Sequence, residues 1–141
     1  SVKLTQLGLD IDPRLCLDNS RQIVSLAASL RLHVEFDMES SAYVDRTLSI
    51  VETLHSEFGC VRAVLQAYLF RTEADLHRLN QLRLPIRLCK GAYAEPSAVA
   101  FPEKADVDKN YLHLAHLLLT AGHQPAFATH DERMIVPALS Y

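Results

Sequence analysis

The chain has 141 residues, 49% hydrophobic and 22% charged, the size and balance of one ordinary globular domain. A net charge of -3, with basic residues scattered along the sequence, gives no footprint for nucleic acid. Three widely spaced cysteines without a CxxC pair suggest neither a disulfide framework nor a thiolate zinc site, and no apolar run reaches the roughly 18 to 20 residues that span a bilayer.

Short apolar runs alternate with longer stretches of helical periodicity. The first run, residues 2–9, reads as a strand, and Asp12 before Pro13 suits the N-cap and first position of a helix over 13–31. Residues 33–38 are the second strand candidate, followed by a helix capped at Ser40 or Ser41 and closed by Gly59. The third strand, 61–69, is the most apolar stretch, and Thr72 opens a helix through Leu82. Residues 86–89 form the fourth strand and run into Lys90-Gly91-Ala92-Tyr93, then a proline-containing loop over 95–104. A helix over 106–121 ends at Gly122, the fifth strand covers 125–129, and a last helix runs to the chain end near Tyr141.

Five strands alternating with helices call for parallel strands joined by right-handed crossovers, hence an α/β fold. Periodicity leaves a barrel and an open doubly wound sheet both standing, although no strand is followed by GxGxxG. A complete eight-fold barrel takes about 250 residues, so this length is expected to supply only part of one.

In parallel α/β folds reactive groups gather at the C-terminal ends of strands. The candidates there are Lys3 with Thr5, Asp37 with Glu39, Gln66 with Tyr68, Arg87 with Lys90 and Tyr93, and Thr129 with His130. Buried unpaired polar groups cost about 1 to 3 kcal/mol each, so Lys3, Asp37, Gln66 and Arg87 either satisfy one another or bind something. Together they suit a flat, polar, partly anionic ligand. Two rivals compete: Lys90 as a Schiff-base lysine of a carbon-carbon lyase, and a metal held by His113, His116 and His123, for which no carboxylate shares the helical spacing. His130 is also available as a general base.

SVKLTQLG from Ser1, FDMES from Phe36, LQAY from Leu65, RLCKGAY from Arg87 and FATH from Phe127 resemble the successive strand motifs of the proline dehydrogenase family, in the family's order. The resemblance covers the chain end to end, and RLCKGAY is its most specific part. It implies a parallel (β/α)8 TIM-type barrel with FAD across its C-terminal mouth. Residues 1–141 then form a partial barrel domain, from about strand three to the helix after strand seven. The family's last helix, which brings the arginine pair that grips the proline carboxylate, lies outside this span.

Position by position, Lys3 resembles the lysine near the substrate carboxylate and Asp37 the aspartate below the flavin and proline ring. Gln66, Arg87, Lys90, Gly91 and Tyr93 match flavin, ribityl or phosphate contacts, and Thr129 and His130 match the segment holding the AMP half. The family's usual next residue is asparagine; Asp131 departs from it. Lys3, Asp37 and Arg87 are thereby implied in catalysis, with L-proline as hydride donor, 1-pyrroline-5-carboxylate as product and quinone as electron acceptor. The resemblance further implies a cytoplasmic or mitochondrial setting with peripheral membrane association. It also implies completion by other barrel segments or an aldehyde dehydrogenase partner. The alternative is an inactive or split piece that serves only in interaction.

Overall fold

The computed structural model describes residues 1–140 and has an α/β architecture with a parallel sheet. Four strands, β1 (Val34–Phe36), β2 (Val61–Gln66), β3 (Ile86–Cys89) and β4 (Ala126–Phe127), follow one another in that order. The helices are α1 (Pro13–Ser29), α2 (Val44–Phe58), α3 (Thr72–Gln81), α4 (Lys104–Ala121) and α5 (Glu132–Leu139). The sheet does not close among the described residues, and the last expected position, Tyr141, lies outside them.

The chain divides into two compact units, Ser1–Ala63 and Val64–Tyr141. In the first unit β1 pairs parallel with the start of β2, Val34 opposite Val61 and Phe36 opposite Ala63. Helix α1 starts as its sequence predicts: Asp12 accepts a hydrogen bond from the Arg14 N–H at 2.8 Å, and Pro13 takes the first position. Its buried residues, Cys16, Ser20, Val24 and Ala27, recur at helical spacing and form one stripe. Helix α2 buries Leu48, Val51 and Leu54 and ends at Gly59, whose φ of 70° is the left-handed conformation that glycine adopts without strain. Arg21 joins the two helices through a forked pair with Glu57.

Residues 2–9 do not form the expected first strand. Val2 makes only an isolated parallel bridge to Phe36, and Leu4–Leu7 winds into a 3-10 turn. The cause is a carboxylate far away in sequence: Glu39 accepts from both the Thr5 N–H at 3.2 Å and the Thr5 hydroxyl at 2.8 Å, removing a donor that a ladder would use. Gly8, at φ 102°, then turns the chain toward α1, and Leu4 is fully buried. Ser40 makes no side-chain cap; Ser41–Tyr43 instead forms a 3-10 turn leading into α2.

In the second unit β3 pairs parallel with β4, Arg87 opposite Ala126 and Leu88 opposite Phe127. Beyond β2 the N–H groups of Ala67 and Tyr68 donate to the carbonyls of Cys89 and Lys90. The expected strand over 61–69 stops at Gln66 and gives way to a turn, and the Thr72 hydroxyl donates to the Gln66 carbonyl. Helix α4 buries Tyr111, Leu114, Ala115 and Leu118 on one face, packing beside Leu76, Leu79, Ile86 and Leu88 in the core of this unit.

Candidate functional site

The first unit places its candidate residues just beyond β1. Backbone pairing sets them: the Val2 N–H donates to the Glu35 carbonyl and the Asp37 N–H to the Val2 carbonyl, both at 2.9 Å. That brings Lys3 and Asp37, 34 positions apart in sequence, into an ion pair with Nζ 3.6 Å from Oδ2. The Ser1 hydroxyl donates to the same oxygen at 3.1 Å. Both charges remain partly open to solvent, with side-chain exposures of 39% for Lys3 and 21% for Asp37, so they can exchange partners. Glu39, by contrast, is buried and holds Thr5.

The second unit gathers its charges where β3 and β4 end. In β3 the side chains of Ile86 and Leu88 are buried while Arg87 and Cys89 occupy the alternate positions, so the strand's period of two sends Arg87 away from the core helices. Lys90 follows the strand directly. Its ammonium donates to Asp108 Oδ1 in α4 and, at 2.9 Å, to Asp131 Oδ2 at the head of α5. Burial works against the ammonium, yet its hydrogen bonds to Asp108 and Asp131 outweigh it and hold the lysine above its ordinary pKa.

Lys104 and Arg133 extend this network. Lys104 reaches Asp108 at 2.7 Å, Arg133 reaches Asp131 at 2.7 Å, and Arg133 lies 3.6 Å from Asp108. The Asp108 carboxyl is held below its usual range by Lys104 first and Lys90 second, the Asp131 carboxyl by Arg133 first and Lys90 second. Thr129 contributes by accepting the Asp131 N–H on its hydroxyl at 3.1 Å, and Asp131 in turn caps α5 through the Arg133 N–H.

Gly91 adopts φ 109°, and any Cβ there would collide with the ring of Tyr68. The glycine is thus required twice, for its backbone and for the aromatic ring laid over it. Tyr68 is buried, its hydroxyl 3.5 Å from Glu95 Oε1, and burial foremost, with Glu95 adding, pushes the phenol up to about 12. Gln66 is buried at the end of β2, whereas Tyr93 and His130 are exposed.

Sequence reasoning missed Asp108, Lys104 and Arg133. The one local signal was the Lys104 to Asp108 spacing of four on a helix, a pattern that ordinarily marks a solvated face. The histidines do not converge: His113 Nε2 lies 3.2 Å from Glu73 on α3, and His123 lies beside Arg83.

A family profile described as Proline dehydrogenase matches residues 1–141. The chain belongs to the proline dehydrogenase family. Proline dehydrogenase 2 of Bacillus subtilis is 45% identical over 135 residues, covering 96% of this chain and 45% of the relative. A proline dehydrogenase of Deinococcus radiodurans is 45% identical over 140 residues, with the same coverage of each. Among solved structures, proline utilization A from Bdellovibrio bacteriovorus, inactivated by N-propargylglycine, superposes with a TM-score of 0.86 at 26% identity, over 98% of this chain and 18% of that one. The chain therefore spans about half the length of the curated proline dehydrogenases it matches.

Proposed function

We propose that this chain is the central part of a proline dehydrogenase (β/α)8 barrel, binding FAD and oxidising L-proline to 1-pyrroline-5-carboxylate. The observation that carries the reading is Arg87 within β3 and Lys90, Thr129 and His130 just past the C-terminal ends of the paired parallel strands β3 and β4, in a chain of this family. The donor set fits the cofactor: a guanidinium, ammonium groups and a hydroxyl suit phosphates and a ring that gains negative charge.

Bound FAD would supply the hydride acceptor for oxidation of the proline carbon next to nitrogen. Arg87 contributes a permanent positive charge that favours the reduced ring. Lys90 binds phosphate, Gly91 keeps the backbone close, and Gln66, Tyr93, Thr129 and His130 fill the remaining cofactor contacts. Lys3 supplies a point charge for the substrate carboxylate, and Asp37 orients the substrate ring. The amine must lose its own proton before or during hydride loss.

Lys90 as a Schiff-base nucleophile is disfavoured, because two carboxylates keep it an ammonium when attack on a carbonyl needs the neutral amine. Passage of electrons to quinone, peripheral membrane association and completion by further barrel segments or an aldehyde dehydrogenase partner belong to the same reading. No helix among the described residues is long and apolar enough to cross a membrane.

The visible spectrum of the purified protein with FAD, recorded before and after anaerobic L-proline, tests the proposal. Bound flavin that bleaches with proline is the expected result. Bound flavin indifferent to proline would leave a cofactor site without the activity, and absence of bound flavin would support the split or inactive piece.

A further inference from the structure

The α5 cap is an acid in a cationic setting. Asp131 Oδ2 accepts from Lys90 at 2.9 Å and from Arg133 Nη2 at 2.7 Å, with Lys104 at 3.8 Å, while Oδ1 takes the Arg133 N–H and Nε. Asp108 binds the same three cations from α4. Three cations thus face two carboxylates, and one net positive charge remains.

We propose that Asp131 is a built-in competitor for the anion-binding cations: a pyrophosphate-bearing ligand must draw Lys90 and Arg133 away from its carboxylate. This rests on the reading that Lys90 holds the phosphates of a dinucleotide. Lys90 and Asp131 are each about one-fifth exposed, at 22% and 23% side-chain exposure, so an incoming anion can reach both. The carboxyl stays ionised well below neutral pH, with Arg133 and then Lys90 as the cause, so ordinary pH does not relieve the competition.

The chemistry of the cap separates this role from a structural one. Asparagine caps a helix as well as aspartate does, since its amide oxygen also accepts the Arg133 N–H. Asp131→Asn therefore keeps the cap and raises the net charge of the cluster by one. Removal of one opposing charge at such a site is worth on the order of tenfold in anion affinity, and the gain shrinks with added salt.

The experiment is calorimetric titration of inorganic pyrophosphate into the parent chain, Asp131→Asn, Asp131→Ser and the double variant Asp131→Asn with Lys90→Gln. FAD is titrated in parallel by flavin fluorescence. Serine is a second capping residue and guards against a folding defect peculiar to asparagine. About tenfold tighter pyrophosphate binding by both single variants, lost again in the double variant, is the expected result. Equal or weaker binding by the single variants, including no binding by any protein, would overturn the proposal, as would a gain that survives loss of Lys90. A pyrophosphate gain without FAD binding would uphold the competition and reject the flavin reading. FAD binding with no difference among the parent and single variants for either ligand would do the reverse.

Discussion

The buried carboxylate of Glu39 in the first unit holds polypeptide, whereas Asp108 and Asp131 of the second hold clustered cations. Glu39 is buried against the Thr5 N–H and hydroxyl and fixes a turn, leaving Lys3 and Asp37 as a loose, half-open pair at 3.6 Å. Asp108 and Asp131 instead bind Lys90, Lys104 and Arg133 in a network drawn from a strand end and two helices. The difference teaches that charge near a strand end is not one kind of feature. The Lys3–Asp37 pair presents two partly exposed charges, while the second unit presents a dense cationic cluster.

The largest expected effect falls on the glycine behind the second cluster. Gly91→Ala combines a left-handed backbone with a collision against Tyr68, and is expected to destabilise the protein by about 3 kcal/mol through strain and overpacking. Thermal unfolding checks it, and a variant as stable as the parent would break the account of that loop. Glu39→Gln comes next: loss of the charge that Thr5 donates to is expected to cost about 1.5 kcal/mol in chemical denaturation.

Asp108→Asn sharpens the comparison through pH. Lys104 and then Lys90 hold the folded carboxyl below its unfolded value, so its stabilisation is present above about pH 4 and is lost as pH falls through the lowered folded value. Unfolding midpoints measured from neutral to acid pH are expected to fall less steeply in the variant, by about 1 kcal/mol overall. Asp37→Asn, which removes a partner from an exposed lysine, is expected to change stability by no more than about 0.5 kcal/mol. A loss there as large as that of Glu39→Gln would erase the contrast between the loose pair and the held turn.

What the sequence disclosed follows the range of the interactions involved. The α1 cap at Asp12, the glycine stop at Gly59 and strand β3 over 86–89 are local decisions, and their sequence signals match the structure. Residues 2–9 misled because their apolar character is real, with Leu4 and Leu9 buried, but Glu39, 34 positions beyond Thr5, takes the backbone donor. The site was half legible for the same reason. RLCKGAY marks Arg87, Lys90 and Gly91 within one segment, whereas Asp108 joins them only after α4 packs beside β3, and a Lys104 to Asp108 spacing on a helix looks like any solvated face.

We propose a division of labour in which cations of the second unit hold flavin and Lys3 of the first serves proline. The most direct test measures the FAD dissociation constant of the parent, Lys90→Met and Lys3→Met proteins, with the L-proline concentration that half-bleaches the bound flavin. Lys90→Met is expected to weaken FAD on the order of tenfold, the scale of a lost charged hydrogen bond, while Lys3→Met leaves FAD affinity unchanged and raises the proline requirement. Lys3→Met weakening FAD as much as Lys90→Met does, with the proline requirement unmoved, would contradict it.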